Sequence, residues 1–192
     1  YLEMNNISLS FDDVLIVPRF SEIESRRDVD TSLEFCGRSV ALPIISSNMD
    51  TITGSRMAAA MNERGAIGAL HRFMSIEDNV KEYNLSNNLG SKPIVSIGLG
   101  NIEVERAEAL YNVGANIFLI DVAHGASSLV VEQVKELRSN LHHSARIIVG
   151  NFATGRTIKD FQYYLGDRYN VDAYKVGIGG GSACLTRVVT GC

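Results

Sequence analysis

Six short apolar, β-branched runs recur along the chain, helical patterns fill the gaps between them, and small or polar residues follow nearly every run. Together these predict an α/β fold of the (β/α)8 TIM-barrel kind. The runs lie at 43–46, 66–70, 93–97, 116–120, 146–149 and 173–176, their starts about 23 to 30 residues apart. That is room for a strand and a returning helix. The runs are continuously apolar rather than alternating, as parallel strands covered on both faces are. An open doubly wound sheet would gather its polar residues at one switch point. A barrel draws on the C-terminal end of every strand, and this pattern does so.

The first forty residues form a lead-in. Phe11-Asp12-Asp13-Val14-Leu15-Ile16-Val17-Pro18 reads as a short strand stopped by proline. The lead-in as a whole reads as a strand pair covering one end of the barrel domain, which occupies 41–192. A helix over 55–64 ends at Gly65, a fitting stop. Ser75-Ile76-Glu77-Asp78 opens the next helix with a capping-box-like pattern. Residues 103–113 end at Gly114, and 127–141 carry Leu129, Val130, Val134, Leu137 and Leu141 at helical spacing. A short helix follows over 157–165. Six β/α units are visible where a closed barrel needs eight, so the expectation is a partial barrel whose C-terminal units are missing from this chain.

Composition narrows the function. The 192 residues carry a net charge of −4 with no long run of one sign, which gives no basis for a nucleic-acid or membrane-surface partner. Three scattered cysteines argue against a disulfide framework and for a reducing, cytoplasmic setting. The adjacent His142 and His143 lie in a polar stretch and read as solvated residues, not metal ligands.

The chemistry concentrates in Lys175-Val-Gly-Ile-Gly-Gly-Gly-Ser-Ala-Cys-Leu-Thr-Arg187. Four glycines, at 177, 179, 180 and 181, let backbone amides close on a ligand, and a nest of amides suits a phosphate. The pattern is neither a dinucleotide fingerprint nor a P-loop, because the required glycine or Gly-Lys-Ser/Thr is lacking. Cys184 follows among small polar residues with Arg187 three positions on, a setting that favours a thiolate nucleophile over a core residue. Thr186 is its hydroxyl neighbour. Asp121 ends the run Phe118-Leu119-Ile120, where a carboxylate points into a barrel mouth; helix N-capping is the competing reading. Asn151 is open between the same two kinds of role. Met49 is either a soft platform for a flat ring or core packing.

This ordered set of residues resembles the inosine-monophosphate dehydrogenase and guanosine-monophosphate reductase family over nearly the whole chain. Phe11–Pro18, Ser47-Asn48-Met49-Asp50-Thr51, Ile120-Asp121-Val122-Ala123-His124-Gly125, Gly150-Asn151 and the cysteine loop carry the resemblance. The resemblance implies a (β/α)8 barrel, normally a homotetramer, with a nicotinamide cofactor, NADPH or NAD, and a purine nucleoside 5′-monophosphate substrate. It implies that Cys184 attacks the purine at C2 and that Thr186 assists proton handling. Ser182 would bind the nucleotide phosphate, Ser47 and Met49 the nucleotide, and Asn151 its ribose region. Asp121, with Val122 and Ala123 beside it, would hold the nicotinamide riboside. Backbone carbonyls of Gly179, Gly181 and Cys184 would form part of a monovalent-cation (K+) site. Gly180 stands where the family usually has proline, and Leu185 where it has threonine.

Dehydrogenases of the family typically insert a regulatory domain after the second strand. Here His71 and Pro93 are 22 residues apart, which leaves no room for it. With Asn48 where dehydrogenases usually have proline, this leans the resemblance to the reductase. Ser75-Ile76-Glu77, Ala123-His124-Gly125 and the 187–191 segment look dehydrogenase-like. A non-catalytic nucleotide-binding remnant is the alternative of another class.

Overall fold

The computed structural model describes residues 13–180, 184–186 and 189. The chain divides into two compact units. The larger, Thr31–Ile178, holds all the regular strands among the described residues. It opens on an antiparallel hairpin, β1 (Leu33–Phe35) and β2 (Arg38–Val40). Cys36 and Gly37 turn the hairpin, both at positive φ (49° and 75°), which matches a two-residue primed turn.

Parallel β/α units follow in regular order: α1 (Ser55–Glu63), β3 (Ala69–Leu70), α2 (Ile76–Asn88), β4 (Ile94–Ile97), α3 (Asn101–Asn112), β5 (Ile117–Asp121), α4 (Ser128–Asn140), β6 (Arg146–Phe152), α5 (Gly155–Leu165) and β7 (Ala173–Val176). The strands lie side by side in sequence order, β3-β4-β5-β6-β7, all parallel. A doubly wound sheet reverses its order at a switch point, and this sheet has no reversal. The expected first strand survives as a single parallel bridge, Ile45 to Ile67, supported by Ser46 N–H to Ile67 O and Ile67 N–H to Ile44 O at 3.0 Å each.

Side-chain alternation builds two cores. Leu70, Val95, Ile97, Phe118, Ile120, Ile147 and Val149 point outward and meet Ala58, Tyr83, Ala107, Leu110, Val134 and Leu137 of the helices. Ile67, Ala69, Ile94, Ile117, Leu119 and Ile148 point inward and pack on one another. Phe35, Cys36 and Val40 of the hairpin close this inner core. Arg38 fixes the lid by donating to the Lys92 carbonyl and to Asn116 Oδ1, just ahead of β4 and β5. The strand pair expected to cover one end therefore exists, at 33–40. The strand expected over 11–17 does not form in its described part. Residues 14–18 are exposed and belong to no strand, and an apolar run becomes a strand only where another strand accepts its hydrogen bonds. Phe11 and Asp12 lie outside the described residues.

The helices start within two residues of where the sequence predicts, α3 and α5 each two residues earlier. Ser75, Ser127 and Thr154 cap α2, α4 and α5, accepting from the N–H of Asp78, Val130 and Thr157. Gly54 precedes α1 without a side-chain cap, and Glu82 of α2 substitutes by accepting from Ser55 N–H at 2.8 Å. Gly68 sets how closely α1 approaches the sheet, because a Cβ there would lie 2.5 Å from Ala58 Cα. Gly68→Ala should push α1 outward and cost about 1–3 kcal/mol. A thermal melt against the parent checks this, and an unchanged midpoint would contradict it.

Candidate active site

The C-terminal ends of the strands carry a polar layer on the inward face. Continuing the alternation of β5, Asp121 follows Ile117 and Leu119 to the inside. Lys175 follows Ala173 in β7 in the same way, and Gly150 follows Ile148 in β6. Lys175 Nζ donates to Asp121 Oδ1 at 2.7 Å, and Asn48 Nδ2 donates to Asp121 Oδ2 at 2.8 Å. Gly150 makes the first contact possible: a Cβ there would lie 2.7 Å from Lys175 Cβ. Each carboxylate oxygen thus holds one partner and keeps a further lone pair. The Asp121 side chain is about a quarter exposed, at 26%. Asp121 is not the cap of α4, since Ser127 fills that role.

The neighbouring candidates gather around this carboxylate. Val122 N–H donates to Gly150 O and Asn151 N–H donates to Val122 O, at 3.1 and 2.8 Å, which ties the ends of β5 and β6 together. Ala123 follows, half-buried. Asn151 Oδ1 is a buried acceptor with no hydrogen-bond partner among the described residues. Ser47 is exposed, and its carbonyl accepts from Thr53 Oγ1 at 2.6 Å. Met49 is 52% exposed, so core packing does not describe it. Ser47 and Met49 flank Asn48, which brings that loop to Asp121.

The cysteine loop belongs to the other unit. Cys184 is exposed, and its Sγ donates to Thr186 Oγ1 at 3.1 Å. Cys36 is its counterexample. Half-buried in the hairpin turn, its thiol is pushed up to about 11, first by burial and then by the Asp172 carboxylate. Gly179 adopts φ 59°. Gly181, Ser182, Arg187 and Cys192 lie outside the described residues. Among the described residues no group of three His, Cys, Asp or Glu could hold a metal ion, and no helix is long and apolar enough to cross a membrane.

Several residues at or beside the polar layer were given no site role from sequence. Lys175 and Asn48 are two, and Arg72 is a third. Ser96 is a fourth: its Oγ is buried on the inward face of β4 without a partner among the described residues. Glu103 is a fifth. It accepts from Gly98 N–H at 2.6 Å and from Arg106 Nε at 3.3 Å, and Arg106 donates to Asn79 Oδ1, Met74 O and Ser75 O. This buried pair anchors the loop after β4 to α2 and α3. The only sequence signal for it was Glu103 and Arg106 at helical i, i+3 spacing.

Sequential parallel β/α units with polar residues collected at the strand ends define a protein of the TIM-barrel class. The chain belongs to the IMP dehydrogenase / GMP reductase domain family, whose model matches residues 8–192. GMP reductase of Bacillus subtilis is 31% identical over 192 residues, covering 98% of this chain and 56% of the relative. Inosine-5'-monophosphate dehydrogenase of Cryptosporidium parvum is 32% identical over 225 aligned residues, covering 95% of this chain and 54% of the relative. The crystal structure of inosine 5' monophosphate dehydrogenase from Legionella pneumophila matches with a TM-score of 0.82 and 44% identity, over 97% of this chain and 55% of that one. The chain spans about half the length of the curated relatives it matches.

Proposed function

We propose that the protein carrying this chain is an NAD(P)-dependent oxidoreductase acting on a purine nucleoside 5′-monophosphate through a covalent bond from Cys184 to purine C2. The observation that carries the reading is the exposed Cys184 thiol hydrogen-bonded to Thr186, in a loop of the family's pattern. Asp121 fits a nicotinamide riboside, because its carboxylate retains acceptor capacity toward sugar hydroxyls while Lys175 and Asn48 fix its orientation. Val122 and Ala123 complete that side. A nicotinamide held there would supply the hydride donor or acceptor for purine C2.

The chain's own residues do the rest. Cys184 supplies the sulfur, and Thr186 holds or moves the proton beside it. Met49 lies against the base, Ser47 and Asn151 bind the nucleotide, and Ser182 takes its phosphate. The buried unpaired Asn151 Oδ1 supports its part, since such an acceptor calls for a donor from a ligand. Carbonyls of Gly179, Gly181 and Cys184 contribute to a K+ site. The protein works in the cytoplasm as a homotetramer, in line with its three scattered cysteines and the family pattern.

The leading reading is GMP reductase: GMP, NADPH and two protons give IMP, ammonium and NADP+. The connection from β3 to β4 supports it, because it consists of α2 and short loops with no inserted domain. IMP dehydrogenase, in which IMP, NAD+ and water give XMP, NADH and a proton, is the second reading. The 44% identity to the Legionella dehydrogenase favours that one. Following the absorbance of the reduced cofactor with each nucleotide separates them. Consumption of NADPH with GMP alone is the expected result, and NADH production with IMP would overturn the reductase reading.

Lys175→Met should raise the cofactor KM about tenfold with little change in kcat, because Asp121 loses a charge-assisted hydrogen bond that orients it. A collapse of kcat at unchanged KM would contradict this.

A further inference from the structure

We infer that Arg72 is an anion-binding residue of the barrel mouth that engages a nucleotide phosphate, an inference that rests on the proposed nucleotide chemistry for the ligand's identity. Arg72 follows the C-terminal end of β3, and its guanidinium lies over Gly98, which follows the C-terminal end of β4. A Cβ on Gly98 would sit 2.9 Å from Arg72 Cζ. By the alternation of β4, with Ile94 inward and Val95 outward, that Cβ would point into the barrel. The guanidinium also lies over the Phe73 ring, with Cζ 5.2 Å from its centroid.

The guanidinium is therefore held by packing against Gly98 and Phe73. Among the described residues Arg72 gives no hydrogen bond and pairs with no carboxylate. Other arginines in this unit are committed. Arg106 serves Glu103 and Asn79, Arg138 and Arg146 serve Asp172, and Arg38 serves Lys92 and Asn116. The nearby carboxylate of the polar layer, Asp121, is already matched by Lys175. Arg72 is thus an uncompensated cation of that layer among the described residues. The unpartnered Ser96 hydroxyl lies on the same inward face of β4, two residues before Gly98. A planar, half-buried guanidinium with its donors unspent is shaped for two oxygens of one phosphate. Two sources supply that group, the substrate monophosphate and the cofactor pyrophosphate.

Calorimetric titration of the natural protein and of Arg72→Met with GMP, guanosine, NADPH and inorganic pyrophosphate tests this. Arg72→Met should weaken GMP or NADPH at least about tenfold, with a shallower salt dependence, and leave guanosine unchanged. A loss confined to GMP assigns Arg72 to the substrate phosphate, and one confined to NADPH assigns it to the cofactor. Unchanged affinity for GMP, NADPH and pyrophosphate overturns the inference, as does an equal loss for guanosine. If the parent binds pyrophosphate through Arg72 but no nucleotide, the proposed function fails while the anion site stands. Should Arg72→Met not fold, Arg72→Lys keeps the charge and loses the two-pronged fork. It should weaken the same ligand severalfold, and no change there overturns the inference too.

Discussion

Cys184→Ala should remove turnover under the proposed function, by more than about 10^4-fold in kcat, while purine nucleotide still binds. The loss is large because alanine offers no sulfur to bond purine C2, and no other group can take its place in that bond. Binding survives because the nucleotide contacts assigned to Ser47, Met49, Asn151 and Ser182 are untouched. The two described cysteines divide as a nucleophile and a structural thiol should. Cys184 is exposed and bonded to a hydroxyl, whereas Cys36 is half-buried beside a carboxylate with its thiol pushed up to about 11. Steady-state kinetics with a parallel nucleotide titration check both halves. Turnover within tenfold of the parent would refute Cys184 as the nucleophile.

Asp172→Asn is expected to cost about 3–5 kcal/mol, a drop of roughly 6–20 °C in the unfolding midpoint. Asp172 precedes β7 and joins three elements. Its Oδ2 accepts from Arg138 Nη2 of α4 at 2.7 Å and from Ile147 N–H of β6 at 2.8 Å, and its Oδ1 from Arg146 Nη1 at 2.9 Å. The Arg138 and Asp172 side chains are only 11% and 10% exposed. Asparagine would leave a buried guanidinium without its counter-charge. Burial pulls the Asp172 carboxyl up, but the Ile147 N–H and the two arginines outweigh it and hold it below its ordinary value. A depressed carboxylate stabilises the fold above its unfolded value of about 3.9 and loses that contribution as pH falls through the folded one. The gap between parent and Asp172→Asn should therefore be full near neutrality and close below about pH 4. A gap that widens in acid would contradict the account.

The rhythm of the chain was legible because strands and helices each follow one-dimensional rules. Runs at 93–97, 116–120 and 173–176 became β4, β5 and β7 within a residue or so at each end, and Ser75 capped α2 as its pattern indicated. Single wells of local chemistry set those positions. Phe11–Pro18 misled because an apolar run does not reveal a partner strand, whereas Leu33–Val40 found one through the Cys36-Gly37 turn. Asp121, Asn151 and Met49 were legible as candidates, since a polar residue closing an apolar run, or a soft one among polar neighbours, is conspicuous. Their partners were not. The Lys175 to Asp121 contact depends on strand register and on the missing side chain at Gly150, and Arg72 depends in the same way on Gly98. Nor does any local pattern bring Arg138, Arg146 and Asp172 together.

The central claim is the bond between Cys184 and the purine. Acid-quenching the natural protein during turnover with its nucleotide and cofactor, then weighing the proteolytic peptides, tests it most directly. The account predicts a purine-nucleotide mass added to the peptide carrying Cys184 and to no other cysteine peptide. A Cys184 peptide that stays unmodified throughout turnover, or an adduct on Cys36 instead, would contradict it.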